Sequence, residues 1–387
     1  MNKKLIFLLI IYLTFISLGL PDSLLGVSWP EMARNFSVPY SAAGIISMTI
    51  SICTILSSLS TMKLVAKLGT GKLVLLSVLA TAIGIVGIGF TLNYAFLIFF
   101  ALPMGLGAGA IDTSLNQYVA LHFKAHHMNW LHAFWGIGAT LGPITMGAVM
   151  RGGHSWRFGY WIIGGIQLFL VAVLFFSLPL WEEEKRTGKN KSNQSNLKFV
   201  DAFKIPGVPF ALLSFIFYVG TEATIGLWGS SFLIDIKGIS VSSASFIVSI
   251  FYASLTVGRI FSGFITFWLS NKKLLIISEL SLLVGIIIIG IGSGSMLYLG
   301  FGLIGLGCAA IFPTMLHETP KRFGDQNSGV IMSLQLALAY VGTTLLPPLL
   351  GVLTQTYSMS LFPIFLFIYG IILLTATIII EKLQKSR

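Results

Sequence analysis

Charged residues are scarce: Lys, Arg, Asp and Glu make up 10% of the 387 residues, and only 13 of them are acidic. Soluble domains carry about a quarter charged residues, so a surface built to face water on all sides is excluded. Cysteine is scarcer still. Cys53 and Cys308 lie far apart, each inside an apolar run, and offer neither a disulfide framework nor the spacing of a metal or redox site. His126 and His127 stand together without a third ligand, which disfavours a transition-metal site. A phosphate loop is also lacking. Gly69-Thr-Gly71-Lys72 has the glycines and the lysine but neither the full spacing nor a preceding strand, so ATP hydrolysis is disfavoured and no cofactor is expected.

Apolar residues are what the chain has in abundance, at 55% of the sequence and a mean hydropathy of +0.90. They fall in repeated runs of about 20, each long enough to cross roughly 30 Å of hydrocarbon. Twelve spans are expected, near 5–29, 40–64, 73–92, 94–120, 129–149, 158–180, 206–234, 242–268, 273–292, 296–317, 327–349 and 357–380. The fold class is therefore an all-α polytopic membrane protein. The opening Met1-Asn-Lys-Lys4 and its apolar sequel resemble a signal peptide, but the run far exceeds such a core and no small-residue cleavage site follows. It is read as span one.

Basic residues orient the layout. Lys3, Lys4, Lys63, Lys67, Lys72, Lys124, the 185–204 cluster, Lys272, Lys273, Lys321, Arg322 and Lys382 share one side, and the other receives only Arg34, Arg151, Arg157 and Lys237. That asymmetry predicts cytoplasmic termini and a cytoplasmic central loop. It also explains the net charge of +11 as loop anchors against anionic lipid, with no basic domain for nucleic acid. Residues 1–180 are expected to form one six-span bundle and 206–387 a second. The polar stretch 181–205, with Glu182–Glu184 ahead of a run of Lys, Asn and Ser, suits a cytoplasmic linker.

The halves carry traces of one unit. Gly105-Leu-Gly-Ala-Gly-Ala-Ile111 in span four answers to Gly305-Leu-Gly-Cys-Ala-Ala-Ile311 in span ten, and Phe15-Ile16 with Gly19 in span one answers to Phe215-Ile216 with Gly220 in span seven. Internal repeats of this size mark two-bundle carriers. With Gly19-Leu-Pro-Asp22 in span one, Asp112-Thr-Ser-Leu-Asn116 in span four, Asn129-Trp-Leu-His132-Ala-Phe-Trp-Gly136-Ile-Gly138 in span five and Tyr218-Val-Gly220-Thr-Glu222 in span seven, the chain resembles the major facilitator superfamily along its length. Within it, the pattern resembles the fucose permease branch of sugar and proton symporters. The loop after span two departs from the superfamily pattern: Lys67, Gly69 and Lys72 match its end, but Ala66 stands at the acidic position and Met62 at the first glycine. The resemblance implies a major facilitator fold, two pseudo-symmetric six-helix bundles, alternating access, and proton and sugar roles for an acid in span one and an acid in span four.

Ionisable groups at membrane depth are costly and therefore mark candidate sites. Asp22 and Asp112 match the two acids of that branch, Asp112 with a side chain one methylene shorter than the usual glutamate. Asn116 follows Asp112 by four residues on the same helix face and offers a donor and an acceptor to hydroxyls. Glu222 with Trp228, and Gln335 in span eleven, are further candidates for solute binding, an indole being suited to cover the apolar face of a sugar. His132, about one turn into span five, is expected as a gate or helix contact. Arg259 in span eight and Glu279 in span nine are expected as structural or gating groups and as possible partners of each other.

The favoured reading is a proton-coupled importer of a small hydrophilic solute, a sugar by the resemblance, working as a monomer in the cytoplasmic membrane of a bacterium. The alternative is an exporter or facilitator of another small or drug-like solute. An enzyme is disfavoured.

Overall fold

The computed structural model describes residues 3–22, 24–38, 42–187, 197–239 and 241–385. Fourteen helices run through them in order: α1 (Lys3–Gly19), α2 (Leu24–Phe36), α3 (Ala43–Leu68), α4 (Thr70–Gly89), α5 (Tyr94–His122), α6 (Ala125–Arg151), α7 (Trp156–Thr187), α8 (Phe199–Ala202), α9 (Val208–Asp235), α10 (Val241–Ile265), α11 (Asn271–Ile291), α12 (Ser295–Phe323), α13 (Asp325–Thr356) and α14 (Phe362–Lys385). Twelve stretches are long and apolar enough to span a membrane, from Ile6–Trp29 to Met359–Gln384, so this is a multi-pass membrane protein.

The first span departs from a single continuous helix. Proline lacks the N–H a helix needs, and at Pro21 the helix stops and restarts. α1 ends at Gly19, the Asp22 N–H bonds the Gly19 carbonyl at 3.2 Å, and the Leu24 N–H bonds the Pro21 carbonyl at 3.1 Å before α2 continues. Trp156 at the head of α7 fixes the far end of α2 by donating its indole N–H to Asn35 Oδ1 at 3.0 Å.

The chain divides into two compact units, residues 1–118 with 131–195 and residues 119–130 with 196–387. The segment 119–130, expected in the first bundle, thus groups with the second unit. There the His126 ring lies 4.6 Å from Phe267, Trp130 lies 5.3 Å from Phe264, and His317 Nε2 sits 3.1 Å from the Phe123 carbonyl. The expected linker 181–205 is helical at both ends, because α7 runs on to Thr187 and α8 covers Phe199–Ala202. Its middle, 188–196, lies outside the described residues.

Glycine seats hold each unit together, and they repeat. A side chain at Gly105 of α5 would strike the Ile50 carbonyl of α3, and one at Gly305 of α12 would strike the Phe251 carbonyl of α10. Gly107 sits likewise against the Ser77 carbonyl of α4, and Gly307 against the Ser278 carbonyl of α11. The sequence repeat is thus a repeat of backbone contact, the small-residue mode by which membrane helices approach closely. In the first unit Gly138 and Gly142 of α6 seat against the Ile16 and Leu20 carbonyls in the same way, which fixes α6 beside the break at Asp22.

Candidate functional site

Asp22 occupies the break between α1 and α2, where the backbone leaves the helical hydrogen-bond ladder. Irregular backbone at membrane depth is tolerated where it faces protein or a polar cavity. Asp22 meets both. Its Oδ2 accepts from the Trp135 indole N–H at 2.9 Å, and it lines a cavity of about 210 Å³ whose walls include Ser17, Ser47, Ser51, Thr81 and Tyr160. Every wall of that cavity belongs to the first unit.

Asp112, on α5, is nearly buried at 9% exposure. Its Oδ1 accepts from Asn116 Nδ2 at 2.7 Å, and the same amide reaches the Asp112 carbonyl at 2.9 Å. The other end of Asn116 lies 3.0 Å from His132 Nε2 on α6. With the amide nitrogen on Asp112, the Asn116 oxygen can only accept, so the His132 Nε2 carries the hydrogen. Phe15 of α1 packs edge-on against the His132 ring at 5.6 Å. Asp112, Asn116 and His132 therefore form one chain of hydrogen bonds across two helices. Trp135, one turn beyond His132 on α6, carries the contact to Asp22.

His132, expected as a gate or helix contact, joins α6 to α5 through Asn116 in this network. Trp135 lies inside the span-five motif, and its i+3 spacing from His132 is the sequence signal that singles it out. Ser17 and Gln167 were missed. Their paired bonds, Ser17 Oγ to Gln167 Oε1 at 2.6 Å and Gln167 Nε2 to the Ser17 carbonyl at 2.6 Å, hold α1 to α7 just before the break.

The second unit holds a separate polar group. Glu222 Oε2 lies 3.6 Å from Arg259 Nη2 and accepts from the Tyr218 hydroxyl at 2.9 Å, a hydroxyl also within 2.9 Å of the Cys308 carbonyl. The partner of Arg259 is therefore Glu222, and the expected pairing with Glu279 does not occur. Glu279 instead meets Thr377, 2.6 Å away on α14. Tyr218 precedes Glu222 by four residues, a spacing visible in the sequence but unused there.

Trp228 does not share a hydrogen-bond set with Glu222. Six residues along a helix turn a side chain about 120° away, and the Trp228 indole donates to the Pro347 carbonyl at 2.8 Å while its ring covers Gly351. Gln335 is buried at 1% exposure, and its Oε1 accepts from Thr319 of α12 at 3.0 Å. Both side chains tie α13 to a neighbouring helix. Among the described residues no group of His, Cys, Asp and Glu has the arrangement of a metal site.

Comparison with known proteins supplies the lineage. The chain is 26% identical over 275 residues to a glucose/mannose transporter, GlcP, of Bacillus subtilis, covering 67% of this chain and 66% of that protein. It is 26% identical over 317 residues to the bypass of stop codon protein 6 of Saccharomyces cerevisiae, covering 69% of this chain and 60% of that one. The matches thus span 66% and 60% of these relatives' lengths, less than two thirds in each case. In fold, the chain superposes on a crystal structure of the E. coli fucose:proton symporter FucP with a TM-score of 0.80 at 15% identity, covering 97% of this chain and 98% of that one. GlcP and FucP are named as a transporter and a symporter, not as enzymes. A sequence model of the Major Facilitator Superfamily matches residues 11–266 and again 210–385, and the chain belongs to that superfamily.

Proposed function

We propose that this protein is a secondary active transporter for a sugar of the hexose class, driven by symport of protons and working by alternating access. The observation that carries the reading is the network of the first unit: Asp112 bound to Asn116, Asn116 bound to His132, and Asp22 held by Trp135 at a break in the first span. A carboxyl in low-dielectric surroundings exchanges its proton readily for another compensating contact, which is what coupling requires. The hydroxyls of Ser17, Ser47, Ser51 and Thr81 in the cavity beside Asp22 supply directional bonds for a solute's hydroxyl groups, and the Tyr160 ring an apolar face for a sugar. The glucose/mannose transporter among the relatives supports the solute class, and the twelve-span layout supports a carrier.

Asp112 and Asp22 are the proposed coupling groups, with Asn116 and His132 holding the Asp112 carboxyl in place beside the solute site. Glu222 and Arg259 form the corresponding charged group of the second unit. A proton gradient is the proposed energy source, since Gly69-Thr-Gly71-Lys72 lacks the full spacing of a phosphate loop. Basic loops set the proposed orientation, with termini and central loop in the cytoplasm.

The test is uptake of a labelled hexose panel into proteoliposomes with and without an inward proton gradient, comparing the intact protein with Asp112→Asn. Accumulation above equilibrium that needs the gradient and disappears in Asp112→Asn is the expected outcome. Equilibration indifferent to both would make the protein a facilitator, and absence of any hexose uptake would redirect the search to exported solutes.

A further inference from the structure

Glu279 stands outside the network assigned to transport, and its surroundings do not suit an ionised carboxylate. It lies on α11 with 0% of its surface exposed. Oε1 is 2.6 Å from Thr377 Oγ1 of α14, and Oε2 has no hydrogen-bond partner.

The charges on the neighbouring helices are already committed. α12 brings Arg322, whose Nη2 lies 2.8 Å from Glu381 Oε1, and Glu318, which lies 3.7 Å from Lys321 and accepts from Asn271 at 2.7 Å. α14 brings Glu381, whose second oxygen lies 3.0 Å from Lys272 Nζ at the head of α11. Lys273 beside it is exposed. Among the described residues no cation stands within ion-pair distance of Glu279; Arg322 is held about one helical turn away, since its partner Glu381 follows Thr377 by four residues on the same face of α14.

An ionised Glu279 would hold one hydrogen bond, no counter-charge and a bare oxygen in a dry interior, the arrangement that burial penalises most. A carboxylic acid fits the same positions. With the hydrogen on Oε1, the acid donates to Thr377 Oγ1, and the threonine hydroxyl is free to bond back to its own helix. Oε2 is then a neutral carbonyl oxygen, far cheaper to leave unpaired than a charge.

We infer that Glu279 is a proton-binding site of the second unit, holding its hydrogen as a carboxylic acid bonded to Thr377, with Arg322 as the cation that replaces that hydrogen when it leaves. Arg322 is equipped for the exchange. It is buried at 7% exposure and its Nε has no partner, while Glu381 keeps Lys272 if Arg322 turns away. Loss of the proton to water leaves Glu279 with one negative charge, which the guanidinium matches, so the tie at the end of α12 passes from α14 to α11. This site is independent of sugar transport through the first unit and stands or falls separately from it.

The experiment is infrared spectroscopy of the purified full chain in detergent at neutral pH, with and without isotopically labelled glutamate. Expected is a protonated-carboxyl carbonyl band that shifts with the glutamate label, vanishes in Glu279→Gln and persists in Asp22→Asn with Asp112→Asn. Thr377→Val, which removes only the hydrogen-bond partner, should move the band without abolishing it, and a band that it leaves unmoved would overturn the assignment. Thermal unfolding adds a second readout: glutamine mimics the acid, so Glu279→Gln should hold Tm at neutral pH within about 2 °C. No glutamate-derived band, or a large loss of Tm as when one member of a buried ion pair is removed, would overturn the assignment.

Discussion

Asn116 has one amide oxygen and one amide nitrogen, and the first unit uses both, one toward His132 and one toward Asp112. Asn116→Leu keeps the volume and removes both bonds, leaving two buried polar groups without the partner they share. The expected result is a loss of uptake on the order of tenfold or more, with a stability cost of about 1–3 kcal/mol. Unchanged uptake with the same stability cost would reduce the network to packing. Asp22, Asp112 and Asn116 were legible in the sequence because a polar group inside an apolar run is conspicuous and i,i+4 spacing fixes a shared face. His132 was legible as a gate or helix contact, but its partner Asn116 was not, since that residue lies on another helix. The pairing of Arg259 with Glu222, rather than Glu279, was hidden for the same reason: sequence gives no distance between helices. The bond of Trp228 to the Pro347 carbonyl was hidden likewise, because α13 is remote from it in sequence.

At the scale of helices, the spans could be read to within a few residues because length and hydropathy set them, whereas the break at Pro21 could not. One proline between apolar runs bends some spans and interrupts others, and the outcome depends on neighbours such as α6 that cradle the exposed backbone. The glycines of α6 make that dependence testable. Gly138→Ala places a methyl group against the Ile16 carbonyl, and the resulting overpacking should cost about 1–3 kcal/mol. Gly26→Ala in α2 meets nothing within 4 Å and should be neutral or stabilising by up to about 1 kcal/mol, as helix propensity favours alanine. Thermal unfolding in one detergent compares the two. Equal Tm values would show that the α1–α6 seat yields more readily than its geometry implies.

For the whole molecule, the twelve-span architecture and the two-fold repeat were legible, but the grouping of 119–130 with the second unit was not, because that depends on aromatic contacts such as Trp130 with Phe264. Orientation is testable with single cysteines, since both native ones, Cys53 and Cys308, are buried. Leu92→Cys, at a position 88% exposed between α4 and α5, should react with an impermeant maleimide in intact cells. Lys72→Cys, exposed at the opposite end of α4, should react only after permeabilisation. The reverse pattern would invert the proposed topology and place the termini outside.

The bond from the Trp135 indole to Asp22 has a use beyond holding a helix in place. Indole emission responds to the charge and polarity at its N–H, so the proposed coupling carboxylate has a chromophore attached to it. Subtracting the spectrum of Trp135→Phe from that of the intact chain would isolate this signal from the other tryptophans and make the protein its own indicator dye, reporting the state of Asp22 during turnover without any added label.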